Sequence, residues 1–407
     1  MFRKIMCLLL MLAMLAGSAS ALGDATVIDM AQERNISIQK AGANETADGV
    51  SPTTGRTLAE ISAPENFSGM AVTGEYLPLM VQVPNEGVGA WFASYADVMY
   101  ESAKSRGGDT RYSILFSDTI PEWVGPTRSI RAHHVFIREE WNVPYLYFGH
   151  QSNDGNVKGT DVSSTIESLG WRKPEAKTGI SLFYDGMYPK EWSQYVNRVT
   201  QLANPNNAMF YTPGILENVV PKGEFTPVNH AYRFVDEAPE GGDDAGNVYI
   251  LWNNTQQKNS THNILMQYED GQYYRYLLKN RSNPDAAEPV LDLQPSNITK
   301  VRTDNGTMLE ARLNIGKGEQ LAFSNVIVQY IPMEWYSNDE MLGTLTGTGN
   351  ADVFMGGKHY RAVWNRDTLQ ERTVFYGEDG KELPMLKGKT MIFLIDYQNQ
   401  LREVAYE

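Results

Sequence analysis

The chain has 407 residues, of which 49 are acidic and 35 basic, so its formal net charge is −14. Such a charge disfavours binding to nucleic acid, because the phosphate backbone repels an acidic surface. The 42% hydrophobic and 21% charged content is typical of a globular protein, and the length is more than one hydrophobic core usually organises. We therefore expect two folded domains.

The first 21 residues have the pattern of a secretory signal peptide. Arg3 and Lys4 precede an apolar run over 5–16, and Ala19-Ser20-Ala21 forms a small-residue cleavage site. The run is too short to span a bilayer comfortably, and no later stretch is long and apolar enough to do so. We expect a protein that is secreted or associated with the cell envelope, outside the cytoplasmic membrane, with no transmembrane segment in the mature chain.

The cysteine and histidine content limits the chemistry that the mature chain can perform. Its one cysteine, Cys7, lies inside the apolar run, so cleavage after Ala21 leaves no thiol for a disulfide, for catalysis or for lipid attachment. The six histidines show no metal-ligand spacing, and no nucleotide-binding or nucleophile-elbow motif is present. We expect no metal and no cofactor.

The sequence after the signal peptide divides into three parts. Residues 22–74 are rich in small and polar residues, which predicts a flexible linker. Residues 75–220 alternate between strand and helix patterns and predict a mixed α/β domain. We expect strands over 77–83, 98–105, 110–116, 144–150 and 181–185, a short helix ending near 96, and helices over 127–141, 163–169 and 191–203.

Residues 221–407 predict a β-rich domain. Strand-like runs such as 325–333 and 390–396 dominate it, and turn dipeptides such as Asp270-Gly271 lie between several of them. The change of pattern places the domain boundary at 221–227. The predicted fold class is therefore α+β, with a mixed α/β N-terminal domain followed by a β-rich C-terminal domain.

The segment VGPTRSIRAHH, residues 124–134, collects cations and hydroxyl groups at a predicted helix start. Free backbone N–H groups and the helix dipole favour an anion there, and Arg128, Arg131 and the Ser129 hydroxyl would surround it. Arg111 and the adjacent Thr110, which follow the Gly107-Gly108 turn, could extend the site. The alternative is that the arginines form a structural ion-pair network with nearby carboxylates.

Asp97 and Glu101 are the candidate catalytic carboxylates. If the segment were helical they would lie on one face, as a general acid and base require. The alternative is a structural role, in which the two carboxylates neutralise the arginines. Access to water distinguishes the two roles. A Glu101 carboxylate paired with Arg128 or Arg131 is a structural partner, whereas a free carboxylate in the same cleft is a candidate acid or base.

Several motifs resemble those of the YerB-like bacterial envelope proteins, a two-part domain of unknown function whose members include putative lipoproteins. The resemblance lies in ADVMYES, GGDTR and VGPTRSIR in the first half, and in YEDGQYYRY, GEQLAFSNVIVQY and GTGNADVFMGGKHYRAVW in the second. It extends over nearly all of 75–400. It implies an exported protein with an α/β-type first domain and a β-rich second domain, and no established activity.

The sequence departs from the YerB-like pattern in three places. It has no lipobox cysteine, and Tyr147-Phe148-Gly149 and Pro205-Asn206-Asn207 stand where many relatives have His-x-Gly and Pro-His-Asn. These differences argue against a mechanism based on those histidines.

We hypothesise an extracytoplasmic protein that binds a small anion or a phosphate- or carboxylate-bearing envelope polymer. The alternatives are a hydrolase or transferase that acts on an envelope glycan or phosphodiester, and a protein-interaction module whose partner the sequence does not identify.

Overall fold

The computed structural model describes residues 22–407 except 88, 153–156, 158, 177–179, 189–191, 222–230 and 303–308. The predicted signal peptide lies outside the described residues, as does nearly all of the predicted boundary at 221–227. In the described part no helix combines the length and the hydrophobicity that crossing a bilayer requires.

Strands make up most of the regular secondary structure in the described part of the chain. In the first half they are β1 Thr26–Val27, β2 Leu79–Pro84, β3 Val98–Ala103, β4 Thr110–Phe116, β5 Trp123–Thr127, β6 Tyr145–Tyr147, β7 Phe183–Asp185, β8 Val196–Val199 and β9 Ala208–Tyr211. In the second half they are β10 Phe234–Val235, β11 Asp243–Asp244, β12 Asn247–Leu251, β13 Ile264–Glu269, β14 Gln272–Leu277, β15 Glu288–Pro289, β16 Leu291–Arg302, β17 Leu309–Gln320, β18 Ala322–Phe323, β19 Asn325–Ile331, β20 Met333–Trp335, β21 Met341–Gly343, β22 Gly347–Met355, β23 Lys358–Arg366, β24 Val374–Gly377, β25 Met385–Leu386, β26 Thr390–Asp396 and β27 Glu403–Tyr406.

Helices are few and short. Across the described ranges the α-helices are α1 Met70–Thr73, α2 Ala132–Trp141, α3 Val162–Ser168 and α4 Thr212–Asn218. Short 3-10 turns cover Ala93–Tyr95, Ser193–Tyr195 and Pro284–Ala286. The described chain is thus β-rich overall, and in its first half strands also outnumber helices.

One eleven-stranded sheet, the central sheet, contains strands from both halves of the chain. Its order is β11-β23-β22-β19-β26-β3-β4-β2-β6-β7, with β24 added beside β23. The halves meet where β3 and β26 run parallel, with Val98 opposite Thr390 and Ser102 opposite Leu394. Both strands are buried along their whole length, as strands with both faces covered are. The two predicted domains therefore share one sheet.

A second, five-stranded sheet also combines the two halves, in the order β16-β17-β8-β9-β5. The remaining large sheet has seven strands, in the order β1-β27-β12-β13-β14-β15, with β18 beside β14.

The predicted hairpin of β3 and β4 is confirmed, and its turn depends on glycine. Gly108 has a φ of 112°, which L side chains rarely adopt. A Cβ atom at this position would lie 2.8 Å from the Trp252 carbonyl oxygen. A larger residue would therefore push the turn away from the second half of the chain.

Two predicted helices differ from the structure. The helix predicted from residue 127 begins only at Ala132, because Trp123–Thr127 pairs with β9 as a strand. The helix predicted over 191–203 is wrong, because Val196–Val199 forms β8 between β9 and β17. In both places tertiary strand pairing overrides the local pattern.

The segment 22–74 packs against the rest of the protein and is not the flexible linker that its composition predicts. β1 pairs with β27, and Arg34 forms an ion pair with the buried Asp352 at 2.9 Å. Thr54 is buried and donates to Asp118 Oδ2 at 2.6 Å. Few large apolar residues are needed here, because the segment is anchored by hydrogen bonds from its polar side chains.

Candidate functional site

The segment 124–134 forms a strand end, a loop and a helix start. Gly125 and Pro126 lie within β5, joined by a cis peptide bond, and Arg131 is the residue before α2. Its backbone N–H donates to His134 Nδ1 at 2.8 Å, which fixes the start of the helix. Arg128 and Arg131 are therefore loop residues, and they do not lie one turn apart on a helix.

The three predicted ligand-binding arginines lie close enough for their charges to interact, and we call Arg111, Arg128 and Arg131 the arginine cluster. Arg111 projects from β4 and is 2% exposed, and its guanidinium donates to the Ser129 carbonyl oxygen. Its Nε has no hydrogen-bond partner in the described part of the chain. Burial, followed by the nearby charges of Arg131 and Arg128, lowers the pKa of Arg111 to about 9. Like charges are thus held together here.

Arg128 shares its nearest carboxylate with a lysine. Its Nε donates to Asn206 Oδ1 at 2.8 Å, and its Nη2 lies 3.6 Å from Glu86 Oε2. Glu86 makes a closer contact with Lys104, at 2.9 Å. Burial alone would raise the pKa of Glu86, but Lys104 and Arg128 lower it to about 2. One carboxylate therefore faces two cations.

Arg131 donates to backbone oxygens. Its Nε lies 3.3 Å from the Asp339 carbonyl oxygen, and its Nη1 lies 3.3 Å from the Ile130 carbonyl oxygen. Burial and the charge of Arg128 lower the pKa of Arg131, whereas the Asp339 carboxylate raises it, and the net shift is downward. Neutral oxygens thus account for its hydrogen bonds within the described residues.

Ser129 contacts the arginine cluster, and Thr110 faces away from it. The Ser129 hydroxyl donates to the Phe148 carbonyl oxygen at 3.1 Å, which leaves its oxygen able only to accept from a ligand. Thr110 is buried and donates to Glu101 Oε1 at 2.7 Å. Thr110 and Arg111 are neighbours on a strand, so their side chains leave opposite faces of the sheet.

The two candidate carboxylates are structural. Glu101 is fully buried and pairs with Arg275 at 2.7 Å, which is a different partner from the arginines expected in the sequence. Asp97 accepts hydrogen bonds from the Ser117 hydroxyl and the Asp118 N–H, both at 2.9 Å. Burial and the Asp118 carboxylate hold the pKa of Asp97 well above its ordinary value. Neither carboxylate is open to substrate, so the structure does not support the expectation that they act as general acid and base.

Arg198 contacts Phe148, whose carbonyl oxygen accepts from Ser129, and the sequence did not indicate this cation. Its guanidinium lies 4.2 Å from the centre of the Phe148 ring and donates to Asn204 Oδ1 at 3.1 Å. Burial lowers its pKa. The signal that could have identified this region is the Pro205-Asn206-Asn207 motif, because Asn206 binds Arg128 directly.

A second group of polar residues, centred on His150, lies beside the cluster and was also missed. His150 Nδ1 lies 2.7 Å from Asp185 Oδ2, and its Nε2 lies 3.0 Å from Ser163 Oγ. Glu175 contacts both the serine, at 2.9 Å, and His150 Nε2, at 3.1 Å. Burial alone would lower the pKa of His150, but Asp185 and Glu175 outweigh it and raise the pKa. An Ile130–His150 β-bridge connects this group to the arginine-bearing loop.

Among the described residues, clefts away from the arginine cluster include three of substantial volume. The largest of these three, about 720 Å³, lies around His359 and Glu382 in the second half. Another, of about 310 Å³, lies beside Tyr112 and Arg275, and a third, of about 410 Å³, lies beside Phe67 and Trp123. None of the three contains a residue of the arginine cluster. Within the described ranges no cluster of three or more His, Cys, Asp or Glu side chains could hold a metal ion.

Comparison with known families identifies the class of protein. Residues 67–222 match the N-terminal domain of a protein of unknown function, DUF3048, and residues 254–392 match its C-terminal domain. The chain therefore belongs to this two-part family, which confirms the YerB-like resemblance.

The chain is similar to the crystal structure of the YerB protein from Bacillus subtilis. The two are 19% identical, the match covers 87% of this chain and 99% of YerB, and the TM-score is 0.59. At that identity the likeness shows a shared fold. No curated protein matches the chain.

Proposed function

We propose that the protein binds an anionic group, carried by a small anion or a phosphate- or carboxylate-bearing envelope polymer, at the arginine cluster. One observation carries the proposal: three guanidiniums lie close enough to repel one another, and the carboxylate paired with Arg128, Glu86, is shared with Lys104. An incoming anion would relieve the repulsion among the arginines, and planar guanidinium groups bind phosphate and carboxylate through paired hydrogen bonds.

Export to the envelope is part of this proposal and rests on the sequence of residues 1–21. N-terminal sequencing of the secreted protein tests it. A mature chain that begins at residue 22 supports export by a cleaved signal peptide, and one that begins at a cysteine contradicts it.

Ligand-dependent thermal stability tests the anion site. Inorganic phosphate, citrate and a phosphodiester polymer should each be titrated against the parent protein, Arg128→Ala and Arg131→Ala. The matched control is Arg106→Ala, because Arg106 is exposed and lies outside the cluster. We expect the parent and the control to gain stability with ligand concentration, whereas both cluster variants lose the gain. A parent that responds to none of the anions contradicts the proposal.

A second candidate function is hydrolysis or transfer at Ser163, and the Ser163–His150–Asp185 geometry favours it. The serine, imidazole and buried carboxylate have the spacing of a nucleophile, a base and an orienting acid. Ser163 Oγ would attack an ester, its proton would pass to His150 Nε2, and the same proton would return to the leaving oxygen. Water would then release the acyl group.

Glu175 determines how this second candidate is tested, because it contacts both the nucleophile and the base. A protonated His150 cannot accept the serine proton, so labelling of Ser163 by a fluorophosphonate should increase with pH. Glu175→Gln should increase labelling at pH 7, and Ser163→Ala should abolish it. Equal labelling of the parent and Ser163→Ala would leave the serine with no nucleophilic role, and the anion-binding proposal would be unaffected.

A further inference from the structure

The third cleft, beside Phe67 and Trp123, is lined by aromatic rings. Phe67 and Phe92 pack edge to face with ring centres 5.2 Å apart, and Trp123 and Tyr211 lie 4.9 Å apart at 44°. We call the cleft that these four residues line the aromatic cleft. Its volume of about 410 Å³ is within the range of small-ligand sites. Phe67 and Phe92 are half-buried, so parts of their rings remain open to a ligand.

The backbone around the aromatic cleft is conformationally strained. Asn66, Phe92 and Asn297 line the cleft and have φ angles of 70°, 54° and 52°. They are three of the six non-glycine residues with positive φ in the described ranges. Asparagine tolerates this conformation, but for a bulky residue such as Phe92 it is a genuine outlier. Strain of this kind concentrates at ligand-binding sites.

The structure around Phe92 holds the strained conformation in place. Its backbone N–H donates to the Leu293 carbonyl oxygen at 2.9 Å, and Leu293 N–H donates to the Ala90 carbonyl oxygen at 3.1 Å. The β16–β17 pairing is irregular between Ser296 and Thr299, and Asn297 lies in that irregularity. Irregularities of this type redirect side chains and often lie beside binding sites.

The rim of the aromatic cleft provides hydrogen-bonding groups and negative charge. Asn66, Ser296 and Asn297 are exposed, and their side chains have no hydrogen-bond partner in the described part of the chain. Glu65 and Glu122 also line the cleft, and no Lys or Arg is among its lining residues. Anionic ligands are therefore repelled, and a ligand with apolar faces and many hydroxyl groups is favoured.

We infer that the aromatic cleft binds a neutral saccharide. The C–H groups on one face of a pyranose ring pack against an aromatic ring, whose face carries partial negative charge. Amide, hydroxyl and carboxylate groups at the rim match the hydroxyl groups at the ring edge. The inference is independent of the proposed anion site, because it rests on different residues and on the opposite ligand charge.

The aromatic cleft and the arginine cluster lie toward opposite ends of β5. Trp123 begins the strand and Thr127, beside Arg128, ends it. The strand is five residues long, so the two sites lie within a few residues of each other along the chain. A glycan with neutral units and a charged substituent could therefore contact both sites.

Tryptophan fluorescence and calorimetry with neutral hexasaccharides of glucose, mannose and N-acetylglucosamine test the inference. We expect saturable binding of at least one hexasaccharide by the full chain. Phe92→Gly should weaken that binding at least tenfold while the protein stays folded, because glycine adopts the positive φ without strain and so offsets part of the lost packing. Phe67→Ala provides a second variant that removes a ring from the cleft.

Arg106→Ala is the matched control, because Arg106 is exposed and lies outside both sites, so hexasaccharide affinity should stay unchanged. Failure of all three hexasaccharides to bind the parent would overturn the inference. So would binding that neither Phe92→Gly nor Phe67→Ala weakens. Neither of these results bears on anion binding at the arginine cluster.

Discussion

The Arg275 guanidinium donates to Glu101 Oε2 at 2.7 Å, and both side chains are completely buried. Glu101 lies on β3 in the N-terminal family domain, and Arg275 lies on β14 in the C-terminal one. The pair therefore joins the two matched domains by an ion pair as well as by the shared sheet. Thr110 and Asn85 complete the hydrogen bonding of the carboxylate, at 2.7 and 3.2 Å.

Removing one member of this pair should destabilise the whole protein. Arg275→Met leaves the Glu101 carboxylate buried without its cation, which costs about 3–5 kcal/mol of unfolding free energy. The double variant Arg275→Met/Glu101→Leu should recover part of the loss, because no charge stays buried. Urea unfolding measures both effects. Equal stability of the parent and Arg275→Met would show that the pair is not a structural link.

Arg34 should anchor the N-terminal segment. Its Nη2 lies 2.9 Å from Asp352 Oδ2, and both side chains are almost completely buried. Arg34→Ala leaves part of the Asp352 charge uncompensated and should cost about 3 kcal/mol. It should also make residues 22–74 more sensitive to protease. The control is Lys40→Ala, whose partner Asp367 is exposed, so stability and the digestion pattern should stay as in the parent.

Strand prediction succeeded where a buried run is continuous. The run at 110–116 matches β4, and the run at 390–396 matches β26, residue for residue. Both strands are buried throughout, so their hydrophobic pattern and the tertiary structure agree. The segment 22–74 shows the opposite case, because composition reports hydrophobic burial and not the polar contacts that hold Arg34 and Thr54 in place.

The candidate site was predicted in part. Arg128, Arg131 and Arg111 were selected because cations cluster near a turn, and the structure does bring them together. Their environment could not be read from the sequence, since the Asp339 carbonyl oxygen that accepts from Arg131 is 208 positions away along the chain. Arg198 and His150 were missed for a related reason, because they contact residues distant in the sequence: Phe148 for Arg198, and Asp185 and Ser163 for His150.

Two buried histidines should make the protein sensitive to acid. Burial, followed by Arg131 and Arg111, lowers the pKa of His133 to about 3, and burial also lowers the pKa of His134. Between about pH 6.5 and 3 the unfolded state then binds more protons than the folded state, so stability falls as pH falls. For His133 alone the loss at pH 5 is about 2 kcal/mol. Urea unfolding of the parent and His133→Gln at pH 7 and 5 measures it, and the variant should show the smaller decrease.

His150 should show the opposite dependence on pH. Its pKa is raised in the folded state by Asp185 and Glu175. Its contribution to stability is therefore fully present below the unfolded pKa of about 6.5 and is lost as pH rises through the folded pKa. His150→Gln should lower stability more at pH 5 than at pH 9. An equal loss at both pH values would mean that the imidazole is not charged between its two carboxylates.

Arg128 should be dispensable for folding, in contrast to Arg275. Its side chain keeps 18% of its surface exposed, and its carboxylate partner, Glu86, lies 3.6 Å away and is paired more closely with Lys104. In Arg128→Gln the lysine continues to neutralise Glu86, and repulsion of Arg111 and Arg131 decreases. The unfolding free energy should therefore change by no more than about 0.5 kcal/mol.

The Arg128→Gln variant should also be less sensitive to added salt, because salt screens the repulsion that the substitution has already removed. Parallel urea unfolding of Arg128→Gln and Arg275→Met at low and high salt measures the difference. If Arg128→Gln were as unstable as Arg275→Met, the arginine cluster would be a structural ion-pair network and not a binding site.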